Sequence, residues 1–172
     1  FYELECVFEP YRDELDLFVG HGIENLKRSA MSFIETAFFY MDLKQFHEDL
    51  EGRELSTREA CERINADGFS VDSSRLVRYR YGVDLYQHIP MALEGGITKR
   101  TTEQIRKLER GYRTLWERHS AEAPRFDALW CEALASGDHP DVFDLAELQT
   151  RFEQAMASAL GLNPRHLTAE AD

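Results

Sequence analysis

The sequence predicts an all-α fold: a multi-helical domain that contains a helix-turn-helix with an extended turn, preceded by a long helix and followed by a C-terminal helical pair. Apolar residues recur at steps of three and four through most of the chain, which is the period of amphipathic helices. Capping and stop signals divide these stretches from one another. Strand signals are sparse, because only residues 3–8 (ELECVF) alternate enough to form a short strand.

The first two helices are bounded by such signals. One long amphipathic helix is predicted over residues 23–50, with Gly52 as its stop. Ser56 caps a short helix over residues 57–65, and Glu59, three residues after the cap, completes a capping box.

The third helix follows a turn signal at residues 67–68 (Asp-Gly). Asp72 or Ser73 caps this helix, which runs toward His88, and Pro90 ends it or starts a new turn. Its predicted buried stripe consists of Leu76, Tyr79, Val83 and Tyr86.

A brief helix over residues 91–93 is predicted to stop at residues 95–96 (Gly-Gly). Thr101 or Thr102 then caps a basic helix that extends to about His119. The residues expected to pack this helix are Ile105, Leu108, Tyr112, Leu115 and Trp116.

Pro124 breaks the chain before a final helical pair, predicted over residues 126–135 and 145–160 with a turn at residues 136–140. The apolar spacing of this pair allows two interpretations. The pair is either a helical hairpin that completes the core, or a dimerisation or partner-docking element with an acidic rim.

The formal net charge of −12 is unevenly distributed. Residues 55–118 carry +3, whereas residues 1–54 carry −8 and residues 119–172 carry −7. The middle third is therefore a mildly basic island, and the acidic flanks argue against strong nonspecific binding to DNA.

Composition also indicates the setting of the protein. The three cysteines are isolated and lack CxxC spacing, so we expect no disulfide framework or zinc site and a reducing cytoplasm. No 18-residue apolar run is present, which argues against a signal peptide or a membrane span. Because the chain begins at Phe1 without a methionine, we expect it to be an excised piece of a longer protein.

Three arginines lie close together after the extended turn. Arg75 and Arg78 share a helical face with Ser74, and an arginine on a recognition helix can bind a guanine edge in the major groove. Arg80 is turned away and suits a phosphate or a salt bridge, and phosphate contacts are also expected at the helix starts formed by Ser56, Thr57, Ser73 and Ser74. The turn is longer than the about 3–4 residues of a tight motif, so an ordinary solvated helical hairpin stays open as an alternative.

Three segments in register resemble the ParB/KorB family of chromosome- and plasmid-partition proteins. They are GIENLKRSAMSFIETA (residues 22–37), LSTREACERI (residues 55–64) and IPMALEGGITKRTTEQIRKL (residues 89–108). The resemblance covers roughly residues 20–118, and the long turn looks closest to the ParB-like proteins of integrating conjugative elements.

The resemblance implies a role for three groups of residues. Glu24, Asn25 and Arg28 stand where the family holds a nucleotide triphosphate, which implies CTP in a full-length protein; the alternative is a capped helix start with a surface arginine. Ser73, Ser74, Arg75 and Arg78 fall on the recognition helix. Lys99, Arg100 and Arg106 fall on supporting helices and would meet phosphate, or would form a solvated basic face paired with Glu103 and Glu109.

The expected function is therefore that of a ParB-type DNA-binding protein in partition or maintenance of a chromosome, plasmid or integrated mobile element. Expected partners are double-stranded DNA, a second copy in a homodimer and a partition ATPase, in a cytoplasmic, nucleoid-associated setting without a membrane. The expected domains are an upstream remnant or linker (1–21), the helix-turn-helix domain (22–120) and an acidic helical extension (121–172).

An enzyme is not expected in this chain. The six histidines are scattered, and no glycine-rich phosphate loop, nucleophile elbow or zinc motif is present. No cofactor is expected within these residues. The alternative function is a protein–protein interaction module that keeps the helix-turn-helix fold without binding DNA.

Overall fold

The computed structural model describes residues 17, 19–22, 24, 31–119 and 123–162, and within these the chain is all-helical with no strand. The strand expected at residues 3–8 lies outside the described residues. Residues 17, 19–22 and 24 are helical. The helices that follow them are α1 (Phe33–Glu51), α2 (Thr57–Ala66), α3 (Ser73–Tyr86), α4 (Pro90–Glu94), α5 (Lys99–His119), α6 (Ala123–Ala135) and α7 (Leu145–Leu160). None of the described helices combines the length and the apolar character needed to cross a membrane.

Helix α1 begins ten residues later than the predicted long helix. Ser32 has an extended backbone (φ −64°, ψ 170°) and forms a capping box with Glu35. Its N–H donates to Glu35 Oε2 at 2.7 Å, and the Glu35 N–H donates to Ser32 Oγ at 3.3 Å. The prediction of one continuous helix over residues 23–50 is wrong, because this capped, extended residue interrupts it. The stop at Gly52, where φ is 65°, is confirmed.

The extended turn between α2 and α3 is held by a side chain. Asn65 Nδ2 donates to the Val71 carbonyl at 3.1 Å, and the Val71 N–H donates to Asn65 Oδ1 at 2.8 Å. Gly68, at φ 95°, supplies the left-handed residue that the turn requires. Asp72 is the cap of α3, and the helix ends two residues before His88.

Helix α5 is capped earlier than predicted. It begins at Lys99, and the Thr98 hydroxyl accepts the Thr101 N–H at 3.3 Å. Thr102 is fully buried and its hydroxyl donates back to the Thr98 carbonyl. The prediction that Thr101 or Thr102 caps this helix is therefore wrong, since both lie inside its first turn.

Two adjoining apolar clusters hold the helices together. The smaller cluster joins α1, α2 and α3 around Leu43, Ile64 and Leu76. The larger cluster contains residues from α1 and α3–α7 and includes the aromatic rings of Phe126 and Phe152. Helices α6 and α7 thus complete the core that packs α5, which is the first of the two interpretations above. Proline 124 is tolerated because it lies in the first turn of α6.

Candidate nucleic-acid interface

The start of α2, where a phosphate contact was expected, already has its own anion. The Ser56 N–H donates to Glu59 Oε2 at 2.9 Å, and Ser56 Oγ accepts the Glu59 N–H. The Ser56 hydroxyl and the Arg53 guanidinium lower the pKa of Glu59 to about 2. This capping box confirms the predicted helix start. It also occupies the polar groups of Ser56 that a phosphate would use, and Thr57 beside it is only half-exposed.

The start of α3 is similarly engaged. Asp72 accepts the Arg75 N–H at 2.8 Å, and this hydrogen bond lowers the pKa of the Asp72 carboxyl. The Arg75 guanidinium folds back, with Nη1 donating to the Ser70 carbonyl at 2.9 Å. Ser73 and Ser74 are exposed beside them. Arg75 therefore lies along the turn, and a carboxylate occupies the first position of the helix.

Arg78 is held by a carboxylate from another helix. Its Nε donates to Oε1 of Glu103 in an ion pair that joins α3 to α5. Only 19% of the Arg78 side chain is exposed, compared with 39% of Glu103. Arg78 is consequently not extended toward solvent as a base-reading side chain would be.

A second contact between α3 and α5 lies further along both helices, three residues after Arg78 on α3 and six residues after Glu103 on α5. The Tyr81 hydroxyl donates to Glu109 Oε2 at 2.8 Å, and burial together with this carboxylate raises the tyrosine pKa. Arg106 lies over the Tyr81 ring, 5.7 Å from its centroid. Glu109 also accepts a hydrogen bond from Arg113 at 2.9 Å. The pairing of Lys99, Arg100 and Arg106 with Glu103 and Glu109, one of the two alternatives above, does not occur within the described residues.

The outward side of α5 carries cations that have no such partners. We define the α5 basic face as Lys99, Arg100, Lys107 and Arg110. All four are exposed, and none of their side chains forms a hydrogen bond or ion pair with another described residue. They line an open hollow of about 610 Å³ together with Glu103, Gln104 and Arg106.

The predicted site residues are therefore only partly brought together. Lys99 and Arg100 share one face, Arg106 borders it, and Arg78 reaches it through Glu103. The remaining residues expected to contact DNA lie at the starts of α2 and α3, away from this face. Of the expected nucleotide site, Glu24 is exposed, while Asn25 and Arg28 lie outside the described residues.

Lys107 and Arg110 belong to the same face and were not predicted. Their positions, seven or eight and ten or eleven residues after Lys99 and Arg100, could have identified them, because such steps return to one side of a helix. Arg110 lies beyond the segment that resembles the ParB/KorB family, which ends at residue 108, and Lys107 lies within that segment but was not among the cations expected to meet phosphate.

Two further polar pairs among the described residues each include a histidine. Cys131 Sγ lies 3.5 Å from His88 Nε2, but burial raises the pKa of this thiol, which disfavours the nucleophilic thiolate. His47 Nε2 lies 2.7 Å from Asp67 Oδ2 and ties α1 to the turn before α3. No cluster of metal-ligating side chains occurs among the residues that the structure describes.

No family model matches the chain, and neither a curated protein nor a solved structure matches it. The similarity to the ParB/KorB family stays a prediction from the quoted segments.

Proposed function

We propose that this protein binds double-stranded DNA and that the α5 basic face is its main phosphate-contacting surface. The observation that carries this proposal is the exposure of four cations on one helix face without carboxylate partners among the described residues. Cations that are already paired within a protein must break those pairs to bind phosphate. The four cations of the α5 basic face need no such exchange, so their charge is available to displace counterions from DNA.

The dimensions of the face suit a nucleic-acid backbone. Lys99 and Arg110 are separated along α5 by about 16 Å, given a rise of about 1.5 Å per residue. A DNA strand advances about 3.4 Å per nucleotide, so the face matches the length of about five base pairs. Phosphate contacts of this kind position a protein on the duplex without reading its sequence.

The acidic remainder of the chain does not prevent this binding. At physiological ionic strength, exposed charges more than about 8 Å apart are largely screened from one another. Carboxylates on α2 and α7 are also partly neutralised within the protein, since Arg53 pairs with Glu59 and Arg151 pairs with Glu147. The surplus of acid lowers affinity at low salt but leaves the local field of the α5 basic face in place.

The wider role that we propose is partition or maintenance of a chromosome, plasmid or integrated mobile element, in the manner of ParB-like proteins. The three quoted segments support this role, and so does the order α2, extended turn, α3, which suits a helix-turn-helix. A homodimer, a partition ATPase as partner and CTP in a longer protein belong to the same proposal.

A salt-dependent binding titration against a random-sequence duplex tests the DNA-binding proposal. The variant Lys107→Ala/Arg110→Ala removes two phosphate contacts, and the slope of log K against log salt should fall by about 1.8. The matched control is Arg53→Ala/Arg151→Ala, which removes two cations that pair with carboxylates elsewhere. The control should retain the parent slope.

Two results would contradict the proposal. The parent protein could fail to bind the duplex at low salt, or the two double variants could change the slope equally. Equal changes would mean that overall charge, rather than the α5 basic face, determines the interaction.

The second candidate is a protein–protein interaction module. It is favoured by one observation, the engagement of Arg75 and Arg78 in internal contacts, which leaves these two arginines unavailable for base reading in this conformation. Absence of DNA binding in the titration above, with the protein folded, would support this candidate.

A further inference from the structure

Glu103 occupies a special position on the α5 basic face. It is the single carboxylate in the segment from Lys99 to Leu108 and is surrounded on its own helix by cations at three- and four-residue steps. Lys99 and Lys107, each four residues away, are placed to pair with it. Glu103 instead pairs with Arg78 on α3. The one acid of the face is thus used to hold a cation of the neighbouring helix.

This pairing divides the cations into two classes. The four residues of the α5 basic face can meet phosphate at once, whereas Arg78 must first leave Glu103. The pair is partly exposed, with 19% of the Arg78 side chain and 39% of the Glu103 side chain open to solvent. Partly exposed pairs are weak and can be exchanged for another acceptor. A guanine edge offers such an acceptor, because its O6 and N7 accept two hydrogen bonds from one guanidinium.

We propose that Glu103 is a specificity-determining residue that restrains Arg78 until a guanine edge replaces the carboxylate. The inference rests on the proposed DNA binding by the α5 basic face and deepens it. Phosphate contacts hold any duplex against α5, and Arg78 remains on Glu103 where the adjoining bases offer no suitable acceptor. Where guanine is present, Arg78 exchanges partners and adds a sequence-dependent contact. Because the Arg78–Glu103 pair must be broken in this exchange, restraint by Glu103 lowers the affinity for duplexes that complete it and leaves the affinity for other duplexes unchanged.

The test uses two duplexes of equal length, one of alternating G·C and one of alternating A·T pairs. In Glu103→Gln the restraint is weakened while the side-chain size is kept. We expect the affinity for the G·C duplex to rise about fivefold more than that for the A·T duplex, at the lower end of what one bidentate arginine–guanine contact provides. The added variant Arg78→Ala in the Glu103→Gln background should abolish this difference.

Glu117→Gln is the matched control, since Glu117 is exposed on the same helix and forms no ion pair among the described residues. It removes one negative charge and should raise the affinity for both duplexes by the same factor. Thermal unfolding of each variant, followed by circular dichroism, verifies that it is folded at the titration temperature.

The outcomes separate the two proposals. If Glu103→Gln raises both affinities equally, as the control does, Glu103 acts only through its charge and the inference is overturned. The inference is also overturned if the G·C preference of Glu103→Gln persists without Arg78. If the parent binds neither duplex, or if Lys107→Ala/Arg110→Ala binds as the parent does, the proposed function itself fails.

Discussion

Helices α3 and α5 both carry clustered cations, and the two helices use them differently. On α3, Arg75 donates to a backbone carbonyl and Arg78 pairs with a carboxylate. On α5, the α5 basic face has no hydrogen-bonded or ionic partner within the described part of the chain. The number of cations in a segment therefore does not determine how much charge the folded protein presents to a ligand.

The packing of each helix explains the difference. Helix α3 lies against α1 through Tyr79, whose ring stacks on Tyr40 at a centroid distance of 5.0 Å, and against α5 through Arg78 and Tyr81. Helix α5 uses its other side for the core, where Tyr112 and neighbouring residues are buried, so one face remains in solvent. Arg75 and Arg78 find internal acceptors where α3 packs against the preceding turn and α5, whereas the α5 basic face points away from the packed neighbours of α5.

The largest effect on stability is expected when a buried aromatic ring that packs against α5 is removed. Phe152 on α7 is fully buried, and its ring lies 5.2 Å from that of Tyr112 on α5 and 4.9 Å from that of Trp130. We expect Phe152→Ala to lower the free energy of unfolding in urea by about 3–5 kcal/mol, because the cavity loses contacts on all sides. Phe143→Ala, which removes a half-buried ring at the edge of the same cluster, should cost clearly less. Equal losses in the free energy of unfolding would show that the packing of α7 does not support α5.

The next prediction compares one cation from each helix. Lys99→Ala should reduce the slope of log K against log salt by about 0.9 on a random-sequence duplex, because one phosphate contact is lost. Arg78→Ala should leave this slope nearly unchanged, since Arg78 is paired with Glu103 and makes no phosphate contact on most sequences. Each variant removes one positive charge and serves as the control for the other. A larger change for Arg78→Ala than for Lys99→Ala would reverse the comparison between α3 and α5.

Much of the fold could be predicted from local signals. The capping box at Ser56, the stop at Gly52 and the apolar period of α7 depend on residues a few positions apart, and all three are found in the structure. The start of α1 was missed although Ser32 and Glu35 form a capping box of the same type. Apolar residues recur at helical steps on both sides of Ser32, and the prediction gave this spacing more weight than the cap.

The candidate site was less predictable, because its chemistry depends on residues distant in sequence. Arg78 and Glu103 are 25 residues apart, and Tyr81 and Glu109 are 28 apart. A pattern within one segment identifies cations but cannot show which of them meet a carboxylate in the folded protein. The exposed arginines and lysines of α5 could be read from helical spacing alone. That Arg78 is paired rather than free could be learned only from the packing of α3 against α5.

Glycines on the two helices provide a smaller test of the same packing difference. A Cβ added at Gly82 on α3 would lie 2.9 Å from the Phe33 ring, whereas one added at Gly111 on α5 meets nothing within 4 Å. Gly111→Ala should raise the free energy of unfolding by about 0.5–1 kcal/mol through helix propensity alone. Gly82→Ala gains the same propensity but crowds Phe33, and we expect a net loss of about 1 kcal/mol. Equal gains in urea denaturation would mean that α3 is packed no more tightly than α5.

The smallest effect concerns the helix starts and their response to acid. Helices α2 and α3 begin with carboxylates whose pKa values are lowered, to about 2 for Glu59 and below the ordinary value for Asp72, whereas α5 begins with the Thr98 hydroxyl. A carboxyl whose pKa is lower in the folded than in the unfolded protein stabilises the fold at pH values above its unfolded-state pKa. This contribution is lost as the pH falls through the folded-state pKa. Thermal unfolding midpoints should therefore decrease for the parent protein between about pH 4.5, the ordinary glutamate value, and about pH 2. Glu59→Gln should show a shallower decrease over this range, while Glu117→Gln, at an exposed position of α5, should follow the parent. Identical pH profiles for the two variants would show that the charge of Glu59 does not stabilise the start of α2. The contrast between an acid-capped α2 and a hydroxyl-capped α5 would then have no energetic consequence.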